Sequence, residues 1–198
     1  MVVAVDEAAA ALGRGGLVVF PTESVYGLGA DAASAAAVER LVAVRGREEG
    51  KPILVLASDL GMVTQVARDV PPLARRLADR LWPGALTLVL PARAGLPAAL
   101  TAGSGTIGVR VPDHATARAL VAVLGRPVTA PSANPPGDAP AETIEQARAY
   151  FGAQIDAYVD GGRCHGAPST VVKIDGNAFT VLREGRIDAA SIRRAAEE

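Results

Sequence analysis

The stretch 169-STVVKIDGNAFTVLRE-184 decides between two ways of building this chain. Residues 169–175 and 178–184 are strand-like runs, and the Gly176-Asn177 pair between them has the composition of a tight hairpin turn. Two consecutive antiparallel strands have no place in a purely parallel, doubly wound sheet, where a helix returns the chain after each strand. Further back, strands and helices do alternate. Helical patterns cover 6–12 (Asp6 as cap, Gly13 as stop), 34–46 behind a Ser34 cap, 71–84 up to Pro83, 114–125, 142–152 and 188–198. Strand patterns cover 17–20, 52–57, 86–91, 106–112, 127–130 and 156–160. Crossovers early and a hairpin late predict an α/β (α+β) fold, a mixed β-sheet with helices, in a single domain over 1–198. The Gly/Pro/Ala segment 91–105 is the most loop-like region and the candidate for a mobile rim.

Composition narrows the function. Hydrophobic residues make up 49% of the 198, ample for a core, but aromatics only 4%, which leaves little for platforms that stack bases. The net charge of −1 gives no global field for nucleic acid or membrane. Lys51 and Lys173 are the only lysines among 20 basic residues; the rest are Arg, a bias that also fits the richness in Ala. The single Cys164 excludes an internal disulfide and a cysteine metal cluster. No apolar run reaches the roughly 18 residues of a membrane span. The first residues carry Asp6 and Glu7 and lack the basic start of a signal peptide, so a cytoplasmic location is expected.

Strong catalytic signatures are missing. The chain has no G-x-x-x-x-G-K-[ST] phosphate loop and no G-x-G-x-x-G fingerprint. His114, at a helix start, reads as solvated or capping, and His165 as loop surface. Ser24 and Ser132 lack evident His/Asp partners. What remains is a series of short polar clusters at strand ends: 21-PTESVYG-27, 45-RGR-47, 131-PSAN-134, 168-PSTVV-172 and 182-LREGRI-187. Arg45 and Arg47 do not share a helix face. At a helix end both can converge on a polyanion, or they are solvated cations favoured by the helix dipole. Arg110, between Val109 and Val111 in an alternating strand, either points into a cleft, where it suits a carboxylate, or lies on an open sheet face. The 131-PSAN-134 cluster offers a hydroxyl and an amide, or is a plain turn.

Taken in order, these clusters resemble the YrdC-like domain of threonylcarbamoyl-adenylate synthases. The matching segments are 20-FPTESVYGLGAD-31, 45-RGREEGKP-52, 82-WPGALTLVLP-91, 106-TIGVRVPDH-114, 130-APSAN-134, 160-DGG-162, 169-STVV-172 and 182-LREGRI-187. The length resembles that of the short, single-domain members. The resemblance implies a twisted mixed sheet around a concave, positively lined cavity. It implies formation of threonylcarbamoyl-adenylate and pyrophosphate from L-threonine, bicarbonate and ATP, with Mg²⁺ accompanying the ATP. Downstream transfer proteins would then modify a tRNA adenosine. Carried over by motif, Thr22, Tyr26, Arg110 and Ser169 would form the threonine pocket, with Arg110 on its carboxylate. Arg45, Arg47, Ser132 and Asn134 would grip the phosphates, and Thr106 and Arg183 would complete the nucleotide side. No nucleophilic side chain is needed, which fits the missing triad. The hydroxyls after the first strand would line the amino-acid pocket, and the glycines of 27-GLGAD-31 would turn the chain away from it.

The chain departs from the family pattern where Arg45 replaces the usual Lys, where Leu56 stands near a common His, at Pro168 for an acidic residue, and in 134-NPPGD-138. The alternative these departures suggest is a non-catalytic RNA-binding paralogue that uses the same cavity.

Overall fold

A computed structural model describes residues 1–46 and 50–197. Helix α1 (Val5–Gly13) leads into β1 (Val18–Phe20) and β2 (Gly27–Gly29). Then follow α2 (Ala35–Arg45), β3 (Val55–Leu56), α3 (Leu60–Val63), α4 (Pro72–Leu81), β4 (Leu86–Pro91), α5 (Ala98–Thr101) and β5 (Thr106–Arg110). Helix α6 (Ala115–Leu124), β6 (Val128–Thr129), α7 (Ile144–Phe151), a 3-10 turn and β7 (Ala157–Tyr158) precede the hairpin β8 (Thr170–Asp175) and β9 (Ala178–Arg183). Helix α8 (Ala189–Glu197) ends the described chain. None of the helices among the described residues is long and apolar enough to cross a membrane.

The hairpin forms as its sequence demands, with Ile174 opposite Phe179 and Gly176 at φ 59° in the turn. It extends a six-stranded sheet of order β6-β3-β5-β4-β8-β9 in which β3/β5 and β4/β8 are parallel and the other pairs antiparallel. The mixed α/β fold expected from the sequence is thus present. The remaining strands form a second sheet, β2-β1-β7. Backbone bonds stitch the two together: Leu28 N–H donates to Pro131 O and Thr129 N–H to Ala30 O, both at 2.9 Å.

Strand β1 sets the layering. Its alternation sends Val18 and Phe20 into the core under the large sheet. Leu17, just before it, and Val19 point into a second core with Tyr26, Leu28, Ile144 and Phe151. A strand buried on both faces reads as a continuous apolar run, which is why 17-LVVF-20 shows no polar residue.

Several local expectations need correction. Asp6 does not cap α1: Ala4 holds that position, and Asp6 lies in the first turn, where its charge still suits the helix dipole. Ser34 does cap α2, accepting from Ala37 N–H at 3.3 Å. The glycines at 27 and 29 do not turn the chain away but form strand β2. A Cβ on Gly27 would lie 3.2 Å from the Phe20 ring, and one on Gly29 2.9 Å, so their absence lets Phe20 pack against bare backbone. Segment 91–105 is not all loop. It carries α5, which packs on α2; Leu100 is fully buried and its carbonyl accepts from Ile53 N–H at 2.8 Å. His114 occupies the N-cap of α6 without a capping bond; it is half-buried, with its Nδ1 sealed from solvent and without a partner. His165 is exposed, as expected.

Candidate functional site

A cavity of about 1000 Å³ opens over the large sheet and is walled by the strip after β1, the end of α2 and the 130–132 segment. Its floor follows from strand alternation. Thr87 and Val89 of β4, Thr106, Gly108 and Arg110 of β5, and Val171 and Lys173 of β8 all line it. Across the strands Gly108, Val89 and Lys173 stand side by side, and Thr87, Val171 and Arg183 form the next row.

Eight of the ten residues expected at the site line this space: Thr22, Tyr26, Arg45, Thr106, Arg110, Ser132, Ser169 and Arg183. Arg47 lies outside the described residues. Asn134 does not line the cavity. Its Nδ2 donates to the carbonyls of Pro135 and Asp138 at 2.8 and 2.9 Å, which fastens the 135–138 loop, and its Oδ1 is buried without a partner. Of the four residues expected to grip the phosphates, two meet: Arg45 Nε donates to Ser132 O at 3.0 Å, so the helix end and the 131–134 turn form one wall.

Arg110 is 4% exposed, which removes the open-face alternative. Its Nε donates to Gly84 O at 3.0 Å, and its Nη2 is ion-paired with Oε1 of Glu23. That same oxygen accepts from Asp113 N–H at 3.0 Å. Burial, then the nearby charges of Arg186 and Arg183, pull the Arg110 pKa down to about 10, so the guanidinium is charged at neutral pH.

The hydroxyls are held in fixed networks. Thr22 Oγ1 donates to Val25 O at 2.6 Å and accepts from Ser24 N–H at 3.3 Å, folding the 22–25 strip on itself. Tyr26 directs its hydroxyl away from solvent: it donates to Gly162 O at 2.7 Å and accepts from Gly161 N–H at 3.0 Å. Burial is the main cause that pushes its pKa up to about 12. Ser169 Oγ lies 2.8 Å from Thr87 Oγ1, and Arg183 Nη2 donates to Ser169 O at 2.9 Å. Thr106 shares a 3.0 Å hydrogen bond with Ser104.

Sequence reasoning missed Glu23, Thr87, Ser104, Lys51 and Lys173. Thr87 had a signal, a lone hydroxyl inside the apolar run 86-LTLVL-90. The lysines had another: in an Arg-biased chain, both lysines line this one cavity. With Arg45, Arg110 and Arg183 they make five cations among the described lining residues, against the single carboxylate of Glu142. Such a cleft concentrates anions. Among the described residues no cluster of three side chains could hold a metal ion.

The chain is similar to a group of known proteins. A family model described as Telomere recombination, the Sua5/YciO/YrdC model, matches residues 10–185. A threonylcarbamoyl-AMP synthase of Pyrococcus abyssi is 37% identical over 96% of the chain, which spans 56% of that relative's length. One of Halorhodospira halophila is 40% identical over 90% of the chain and 93% of its own length. The structure of P. abyssi Sua5 complexed with L-threonine superposes with a TM-score of 0.92 at 35% identity, covering 98% of the chain and 57% of the other. Escherichia coli YciO gives 0.84 at 29%, covering 95% and 92%.

Proposed function

The chain belongs to the Sua5/YciO/YrdC family, and from that premise we propose that it is an L-threonylcarbamoyladenylate synthase, a nucleotidyltransferase acting on L-threonine, bicarbonate and ATP. The observation that carries the reading is a buried, charged Arg110 among fixed hydroxyls, with four further cations among the described residues lining the same cavity. One pole suits an amino acid and the rest suits a polyphosphate. The names of the relatives and the threonine complex of the P. abyssi protein support it.

Arg110 receives the threonine carboxylate in this reading, and the Thr22, Tyr26, Thr87 and Ser169 region shapes the pocket around the amino acid. The amine nitrogen bonds to the bicarbonate carbon, a C–O bond breaks, and water leaves, giving a carbamate. One carbamate oxygen attacks the α-phosphorus of ATP, the bond to the β-phosphate breaks, and pyrophosphate leaves with its electron pair. Arg45, Lys51, Lys173 and Arg183 hold the phosphates and oppose the charge that grows on the leaving group. Their fixed placement, and the enclosure of three substrates in one space, supply the orientation the reaction needs. Arg47 and Asn134 belong to this phosphate grip by motif only.

Magnesium enters this reading as the companion of ATP. The cavity's described lining offers a single carboxylate, so the ion would be held mainly by phosphate and water rather than by a chain-built cage, and would supply charge stabilisation there. The product is the substrate of proteins that transfer the threonylcarbamoyl group to a tRNA adenosine.

The direct test is mass spectrometry of the products after incubation with ATP, Mg²⁺, L-threonine and bicarbonate. A threonylcarbamoyl-adenylate ion is expected only with all substrates present. Intact ATP under those conditions, with the protein folded, sinks the reading.

A further inference from the structure

A buried arginine can face a ligand only with the nitrogens it has not already spent. In Arg110 two of the three are engaged: Nε donates to Gly84 O, and Nη2 faces Glu23 Oε1 in an ion pair, although Nη2 is buried and makes no hydrogen bond. Among the described residues its Nη1 makes no hydrogen bond, nor is that nitrogen one of the buried orphan atoms. It is therefore the corner of the guanidinium that the cavity can reach. Glu23 itself is fixed from three sides. Its backbone lies under the 160–166 loop, where Gly166 N–H donates to Ser24 O at 3.1 Å and a Cβ on Gly166 would sit 2.5 Å from Glu23 O. Its Oε1 takes Asp113 N–H together with Arg110. Its side chain is 9% exposed, and Oε2 is sealed from solvent with no partner. A buried carboxylate with one unsatisfied oxygen carries a desolvation cost, which its pairing with Arg110 and the Asp113 N–H must offset. The pair also joins the strip after β1, in the small sheet, to the end of β5, in the large one, at the foot of the cavity.

Resting on the threonine reading above, we propose that Glu23 is a positioning residue for amino-acid recognition. It pins Arg110 so that only the Nη1 corner is offered, and the substrate carboxylate is received from one side in one orientation. A guanidinium free to turn would offer its nitrogens from several directions and accept a carboxylate in several poses. One fixed donor also fixes where the α-amine lies, and that amine must meet bicarbonate and then the α-phosphorus. Glu23 does not touch the substrate; it acts through Arg110.

Glu23→Gln keeps the length and an acceptor for Asp113 N–H but removes the charge that holds Arg110. In steady-state assays of pyrophosphate release, this variant raises the KM for L-threonine ~10- to 100-fold. Its KM for ATP stays near that of the wild type, a split that loss of fold would not give, and its kcat falls as threonine occupies unproductive poses. Discrimination between L- and D-threonine falls with it. Glu23→Ala shows the same split, more strongly. An unchanged threonine KM overturns the proposal. So does a lowered one, which would make Glu23 a competitor for Arg110 rather than its anchor. If neither variant folds, a crystal structure of the wild type with L-threonine decides. Glu23 still on Arg110 Nη2, with the ligand carboxylate on Nη1, is expected; Glu23 swung away overturns the proposal. Wild-type protein that binds no threonine, with or without ATP, overturns the threonine reading and this proposal together. Wild-type binding with an unaffected Glu23→Gln variant overturns this proposal alone.

Discussion

Replacing Arg110 by Ala removes a cation from the cavity and strands Glu23 as a buried carboxylate without its partner. Two effects should appear together. Calorimetry should show threonine binding lost while most of the ATP affinity remains, because the phosphate cations sit elsewhere in the cavity. Stability should fall by ~3–5 kcal/mol, as for other buried pairs broken on one side. The double variant Glu23→Ala/Arg110→Ala should regain part of that stability and none of the threonine binding. Threonine binding by Arg110→Ala would refute the carboxylate role. Arg110 was half legible in the sequence: alternation between two valines gave it a face, but not whether that face was covered. Glu23 stood inside the quoted motif and was passed over, because nothing local says that a carboxylate will reach the end of a strand more than eighty residues away. That Asn134 stands outside the cavity lining was hidden for a related reason. Its amide serves the 135–138 loop, a use that Asn favours in turns regardless of any ligand.

Elements with strong periodicity or good punctuation were readable. The 178–183 hairpin strand, the Ser34 cap and the Gly125 stop of α6 stand within a residue or two of where the pattern puts them. Helix α5 was missed because four residues of Ala, Leu and Thr between glycines show no period. Strand β2 was missed because its glycines serve Phe20 rather than a turn. Two substitutions test how such elements are held. Gly166→Ala forces a Cβ against the Glu23 carbonyl and must shift the 21–25 strip. Threonine affinity should drop ~10- to 100-fold although residue 166 carries no recognition chemistry; unchanged affinity would mean that the strip does not shape the pocket. Asp156 accepts from buried Leu17 N–H at 2.7 Å and from Arg40 at 2.7 Å, tying β1 to α2. Burial pushes its carboxyl up, but those two partners prevail and hold it below the usual range. A lowered folded pKa means stability that is present at neutral pH and is lost as pH falls through the carboxylate range. Asp156→Ala should cost ~1–3 kcal/mol in urea unfolding at pH 7, mostly from the stranded N–H, since the half-exposed Arg40 pair adds little. The difference from wild type should shrink toward low pH. An equal loss at all pH values would contradict the assignment.

At the scale of the molecule, two sheets meet along β2 and the 127–133 segment, and the cavity is the space their junction leaves over the larger one. The sequence order showed a mixed sheet but not its division, since the stitching is made by backbone atoms that carry no residue signature. The cavity's charge was equally hidden. A chain of net charge −1 still gathers five cations against one acid among the described lining residues, because other acids are placed on the outer surface or in pairs such as Arg126–Asp31 and Arg40–Asp156. That concentration is what the synthase reading needs, and it leads to one decisive measurement: pyrophosphate release from ATP and Mg²⁺, with L-threonine and bicarbonate each added and withheld. The account predicts release only when both are present. Release that ignores threonine, or none at all from folded protein that binds RNA in a salt-sensitive way, would contradict it.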